Sequence, residues 1–197
     1  MAFVNQLFPN PRLIHDLERK IGASTTIIGN GNREYRLQKE SNYRTRWKWP
    51  SRAMLSTDAQ SIGTFVSEVA NFGLNSFKFK DPYLNSWLET PLLYTGTGTK
   101  YYLTTKGTSD THPVFHLGGD IVVKRNGVVT TYTKVIENDI PMIEVPLAGT
   151  ITISGTFYFG ARLDQADYTQ VMSVLNTANG PLADTISDIA LIEVFEY

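Results

Sequence analysis

At 197 residues, 42% apolar and 12% aromatic, the chain holds enough apolar material to bury one core without covalent staples. It has no cysteine, which excludes a disulfide framework, thiolate metal sites and a Cys nucleophile. The formal net charge of −1 conceals a split: residues 1–136 carry 17 of the 18 Lys and Arg and 10 of the 19 Asp and Glu, net +7, whereas residues 137–197 carry one Arg and nine acids, net −8. Such asymmetry suits a nucleic-acid or membrane partner, and equally suits copies packed head to tail with a positive patch against a negative one.

The N-terminal MAFVNQLFPNPRLIHD has no charged segment leading into a long apolar run, and no stretch approaches 18 uninterrupted apolar residues. The expectation is a soluble chain that is not exported through a cleaved signal. Residues 33–55 are basic and contain two Trp. If 43–49 is extended, Tyr43, Thr45, Trp47 and Trp49 share one face, and Arg44, Arg46 and Lys48 the other. Cations mixed with aromatics also suit phosphate tracking and base stacking. The strict alternation and the acidic final third favour instead a strand with a buried aromatic side and a basic side that is solvated or forms an interface.

Thr57 and Gln60 form a capping box, Ile62, Phe65, Val66 and Val69 an apolar stripe, and Gly73 a C-cap, predicting a helix over 58–72. Residues 82–119 are rich in Gly, Thr, Tyr and Pro and read as short strands and loops. Two β-branched runs around Asn126-Gly127 predict a hairpin. From 149 to 163, Ile151, Ile153, Gly155, Phe157, Phe159, Ala161 and Leu163 alternate with Thr152, Ser154, Thr156, Tyr158 and Arg162, which predicts a long half-buried strand. Tyr168, Val171, Met172 and Leu175 behind Asp164 suggest a second helix over about 165–176. The run 189–195 is a strand candidate that would close the sheet. The sum is α+β, mainly β: a β-sandwich or split β-barrel with one or two packed helices. It would form a single domain, 1–197, with a loop and strand excursion at about 83–120.

Local chemistry is sparse. His112 and His116 have the spacing of helical metal ligands, but Pro113 and Gly118-Gly119 disfavour a helix, and no HExxH-like context exists. His15 stands beside Asp16 as a surface residue. No GxSxG elbow supports a hydrolase. Thr95-Gly96-Thr97-Gly98-Thr99-Lys100 lacks the G-K-[ST] ending of a phosphate loop and runs into strand-like Tyr101-Tyr102-Leu103. Trp87, Tyr94, Tyr101 and Tyr102 form either a sugar-binding platform or core and interface packing, the commoner fate. The expectation is a protein that is not an enzyme, with no cofactor and no metal.

Several segments taken together resemble the phage distal tail protein family, which also supplies this component in gene transfer agents. They are Phe8-Pro9, Glu34-x-Arg36, Trp49-Pro50-Ser51-Arg52, Phe77-Lys78-Phe79-Lys80-Asp81-Pro82, Gly149-Thr150-Ile151-Thr152, Phe157-Tyr158-Phe159-x-x-Arg162-Leu163-Asp164 and Ile189-x-Leu191-Ile192-Glu193-Val194. The order of these segments carries the resemblance, which spans nearly the whole chain; the middle, about 83–148, offers little to match, and a Gly-rich stretch common in the family is reduced to Gly29-Asn30-Gly31. The resemblance implies a fold related to the tail tube. It also implies a virion structural role: a ring, usually a hexamer, at the distal end of the tail, made in the bacterial host cytoplasm. Such a ring joins the tail tube protein to hub and baseplate proteins and leaves a lumen through which DNA passes in transit, with no membrane partner.

On that reading Arg44, Arg46, Lys48 and Arg52 are interface candidates. Asp139, Glu144, Asp184 and Asp188 are candidates for an acidic lumen wall, because DNA slides past carboxylates without binding. The alternatives are a carbohydrate-binding tail-tip component and a small cell-wall lytic enzyme.

Overall fold

The computed structural model describes residues 2–9, 18–22, 25–30, 33–38, 44–49, 52–54, 56–109, 112–164, 170–171, 176–177, 180–181, 184–186 and 189–195. As expected, the fold is mainly β, and the described residues include one α-helix. The chain opens with β1 (Phe3–Leu7), β2 (Glu18–Gly22), β3 (Thr25–Asn30), β4 (Arg33–Gln38), β5 (Arg44–Trp49), β6 (Arg52–Met54), the helix α1 (Ser56–Thr64) and β7 (Ser76–Phe79). It continues through β8 (Ser86–Pro91), β9 (Lys100–Tyr102), β10 (His116–Leu117), β11 (Val122–Arg125), β12 (Val128–Thr130), β13 (Thr133–Glu137) and β14 (Ile140–Glu144). After the 13-residue β15 (Ile151–Leu163) come β16 (Gln170–Val171), β17 (Asn176–Thr177), β18 (Gly180–Pro181), β19 (Asp184–Ile186) and β20 (Ile189–Glu193). Two compact units form, one of residues 1–77 with 161–194, the other of 78–160 with 195–197. The segment at about 83–120, expected as an excursion, lies within the second.

In the first unit β5 runs antiparallel between β2 and β20, and residues 161–163 of β15 pair with β20. The C-terminal run is thus an interior strand. Residues opposite one another in a ladder share a face, so Thr45, Trp47 and Trp49 lie beside Glu193, Leu191 and Ile189, and all six are buried. The helical stripe buries Ala59, Ile62, Phe65 and Val66. The helix starts at Ser56, which leaves Thr57 inside its first turn. It passes into a π turn over Phe65–Val69, closed by the Ala70 N–H on the Phe65 carbonyl at 2.9 Å. Helical structure therefore stops short of 72, because Asn71 and Phe72 join Gly73 in left-handed backbone (φ 45°, 51° and 91°). Phe8 stacks on Phe77 and Trp49 at 5.6 and 6.0 Å and meets Phe65 edge-on at 5.3 Å. Phe65 in turn meets Phe77 edge-on at 4.9 Å, so four aromatic rings fasten the helical segment to β5, β7 and the end of β1.

The second predicted helix is not seen. Within 165–176, Gln170–Val171 is a strand paired with β19 and Asn176–Thr177 a strand paired with β18, while 165–169 and 172–175 lie outside the described residues. Cross-strand partners supplied by distant segments override a weak helical period.

In the second unit β15 is central. β8 and β11 both pair with Ile153 and so occupy opposite edges, and β10 pairs with Leu117 opposite Phe157 and His116 opposite Tyr158. The alternation is as expected: Ile151, Ile153, Phe157 and Phe159 are buried, and Thr152, Ser154, Thr156 and Tyr158 half-buried. Gly155 has φ 126°, and a Cβ there would lie 2.7 Å from the Asp120 carbonyl oxygen. Opposite it β8 carries an extra residue, since Ile153 pairs with Thr90 but Gly155 with Trp87, and Glu89 in the bulge has φ 47°. The Trp87 ring sits 4.4 Å from Phe157, and its Nε1 donates to the Thr104 carbonyl at 3.0 Å. The predicted hairpin joins β11 and β12, with Asn126 and Gly127 at φ 50° and 82°. A separate antiparallel sheet runs β13–β14–β9.

Phe157→Ala is expected to cost about 3–5 kcal/mol in chemical denaturation and Thr152→Ala, on the other face, less than about 0.5 kcal/mol. Equal effects would show that the faces are wrongly assigned. Asp120 accepts from the Thr156 hydroxyl at 2.5 Å and from its N–H at 3.0 Å, and the hydroxyl bond is the main cause holding the carboxyl below its ordinary value. A depressed carboxylate contributes stability above its unfolded pKa and loses it as pH falls through the folded one. Thr156→Val should therefore move the Asp120 titration upward in carboxyl-carbon NMR, and an unchanged titration would remove the hydroxyl as the cause.

Candidate functional site

The site with most to offer is the outward face of the first unit's sheet. β5 buries Thr45, Trp47 and Trp49 and turns Arg44, Arg46 and Lys48 the other way, Arg46 and Lys48 being exposed and Arg44 half-buried. Registers extend this face over four strands. Lys20 pairs with Arg46, Arg46 with Ile192, and Ile192 with Arg162, while Glu18 pairs with Lys48 and Lys48 with Ala190. Strands about 4.8 Å apart place the Arg46 and Arg162 positions about 10 Å from each other, with an apolar Ile192 between them. Asp164 Oδ2 lies 3.8 Å from Arg46 Nε, with the Arg46 side chain 59% exposed. A solvated pair of that kind contributes about 0–1 kcal/mol, so the Arg46 guanidinium stays available to an anionic partner.

Rigidity comes from the buried side. Trp47 is fully buried between Leu191 and the Arg19 position of β2, and Trp49 belongs to the four-ring cluster. Glu193 is buried too, and its Oε2 accepts the Thr45 backbone N–H at 2.8 Å. The ladder between β20 and β5 ends at Ile192 and Arg46, and the carboxylate takes the next backbone donor.

The four interface candidates are not gathered as one. Arg44, Arg46 and Lys48 share the face, whereas Arg52 starts β6, opposite Ile186 in the sheet formed with β19 and β16. Arg162 and Lys20 join the face through register, which depends on pairings between segments far apart in sequence. Of the lumen candidates, Asp139 sits in the left-handed turn between β13 and β14 at φ 61°. Glu144 ends β14, exposed, opposite Thr133 and Lys100. Asp184 opens β19 opposite Met54, and Asp188 lies outside the described residues. Asp139 and Glu144 thus belong to the second unit and Asp184 to the first.

The remaining candidates resolve as packing. Trp87 and Tyr101 are core residues, Tyr101 exchanging hydrogen bonds with Gly149 through its hydroxyl, so neither ring offers a sugar-stacking face. Tyr94 is exposed and tilts against Tyr101 at 5.5 Å. His112 packs near Phe159 and Phe195, and His116 is buried on β10. Among the described residues no group of three or more His, Cys, Asp or Glu could hold a metal ion, and no helix is long and apolar enough to cross a membrane. Residues 95–100 turn back into β9, where Lys100 pairs with Glu137; that hydrogen bond is the main cause raising the Lys100 pKa. An open recess of about 310 Å³ is lined by Thr99, Thr131, Tyr132, Thr133, Glu144, Val145 and Pro146, and burial raises the Tyr132 pKa.

No protein-family model matches the chain, and no curated protein matches it. The face must therefore be weighed on its own chemistry.

Replacing both Arg46 and Lys48 by Glu is expected to change unfolding free energy by less than about 1 kcal/mol, whereas Trp47→Ala, between them, should cost about 3–5 kcal/mol. Urea titrations of the two variants give the comparison. A large loss in the charge-reversed variant would make the cations structural and remove them as a free interface.

Proposed function

We propose that this protein is a structural component of a phage or phage-derived tail: a distal adaptor that assembles into a ring, with the basic face of β5 as a subunit or partner contact. The observation that carries the reading is that face: a rigid row of cations on a strand whose reverse side is sealed by Trp47 and Trp49, in a chain whose final third is net −8. Heterologous contacts join one patch of a subunit to a different patch of the next, and opposite charge sets their register and suppresses wrong pairings. The ordered sequence resemblance to distal tail proteins supports the same role, and a mainly β fold with one helix agrees with what that resemblance implies.

On this reading the ring, a hexamer, binds the tail tube on one side and the hub or baseplate on the other. DNA only passes through it, along a wall for which Asp139, Glu144, Asp184 and Asp188 are the candidates. The protein is then neither an enzyme nor a holder of cofactors, and it resides at the distal end of the tail.

Electron microscopy of the purified chain, alone and mixed with its tube or hub partner, is expected to show closed rings of one symmetry. The Arg46→Glu, Lys48→Glu double variant should fold normally and fail to assemble. Monomers only, with and without partners, would refute the ring. Tight salt-sensitive DNA binding abolished by the same reversals would instead make the face a nucleic-acid site.

A carbohydrate-binding tail-tip role is the second reading, favoured by the hydroxyl-lined recess around Tyr132. Glycan binding lost in Tyr132→Ala would support it over the ring adaptor.

A further inference from the structure

The β11–β12 hairpin ends the second unit's sheet in an unguarded edge. Its two-residue turn, Asn126-Gly127, makes Arg125 and Val128 the first cross-strand pair. In hairpins of this type that pair exchanges the hydrogen bonds and the next one does not. Val129, paired with Lys124, therefore directs its N–H and C=O away from β11. Among the described strands none pairs with β12 except β11. Val128 and Val129 are 71% and 67% exposed, although they are adjacent and point to opposite faces, so both sides of the strand are open.

Sheet edges are normally protected by a charge, a proline, a bulge or a covering element. Residues 128–131 are Val-Val-Thr-Thr and contain none of the first two, and the β11–β12 register is regular. The turn is held firmly: the Asn126 N–H donates to the Thr150 carbonyl at 2.8 Å, and the Thr150 N–H to Asn126 Oδ1 at 2.9 Å. A pre-ordered edge loses little conformational freedom when it gains a partner.

We propose that β12 is a strand-pairing edge and that its occupant is β12 of a second copy of this chain, joined antiparallel about a two-fold axis. In the register that uses the free groups, Val129 lies opposite Val129 of the partner subunit, and the two exchange both backbone hydrogen bonds. The strand suits its own copy because it is uncharged, so no like charges face each other across the new pair. The nearest cation in the ladder, Lys124, lies one strand back and pairs with Glu89 at 2.6 Å. Its separation from the equivalent lysine would be three strand spacings, about 14 Å, beyond the screening length of about 8 Å at physiological ionic strength. This contact is isologous and does not rest on the ring-adaptor reading, whose contacts are heterologous.

Sedimentation velocity over a concentration series tests the pairing on the full chain. The unaltered protein should self-associate reversibly, and Val129→Glu and Val129→Lys should each weaken that association by about tenfold or more, because each sets like charges opposite one another. An equimolar mixture of the two variants should recover it, as a heterodimer at least about tenfold tighter than either variant alone. Because the chain has no cysteine, Val129→Cys should also oxidise to a dimer faster than Leu88→Cys, whose site is 88% exposed and serves as the collision control. A monomer at all concentrations, association unchanged in both charge variants, or a mixture no tighter than its components would each overturn the proposal. The last result, with both variants weakened, would pair the edge with a different segment of a second copy of the chain.

Discussion

A strand that buries two indoles on one side must present its other side elsewhere, and β5 presents cations. Trp47 and Trp49 determine which way Arg44, Arg46 and Lys48 point, since the side-chain period of a strand is two and a slip of one residue would exchange the faces. Burying an indole stabilises by several kcal/mol, while an exposed ion pair such as Arg46 with Asp164 contributes about 1 kcal/mol at most. The aromatic side decides the orientation, and the basic side follows. Phe8 stacks on Trp49, and Phe65 and Phe77 pack against Phe8 and each other, so the display of charge depends on the aromatic core of the first unit.

The second unit depends on β15 in a comparable way. Strands β8, β10 and β11 all use it as their template, and it admits the 118–121 loop close to its backbone only because residue 155 has no side chain. The bulge in β8 across from Gly155 points Glu89 toward Lys124, while Asp120 is tied to Thr156. One glycine thus permits a loop, a bulge and two anchoring side-chain contacts at the same height of the strand.

Periodicity and turn chemistry made much of this legible from the residues. The alternation in β5 and β15, the Asn126-Gly127 turn and the buried stripe of α1 all express local spacing that a dominant apolar face enforces. The second helix failed because Val171 and its neighbours offered a helical period to a segment that distant strands claim instead. The end of α1 was misplaced because a π turn has no signature comparable to a cap. The basic face was half legible. Its β5 residues alternate in plain view, but Lys20 and Arg162 join them only through β2–β5 and β15–β20–β5 pairing. Arg52 looked equivalent to its neighbours because Pro50 and Ser51 hide the change of sheet from any reading by proximity along the chain.

The buried carboxylate of Glu193 carries a consequence for how the first unit assembles. Ile189, Leu191 and Glu193 occupy one face at a spacing of two, so a shift of β20 by two residues along β5 would keep the apolar pattern intact and go unnoticed by hydrophobic burial alone. Such a shift would, however, carry the Glu193 side chain away from the Thr45 N–H, leaving a buried acceptor without that donor and the donor without its acceptor, at a cost of about 1–3 kcal/mol for each group left unsatisfied. Glu193 therefore discriminates between alignments that oil-like packing treats as equal. Its chemical value lies less in the strength of one hydrogen bond than in making that two-residue misalignment of the strands unfavourable.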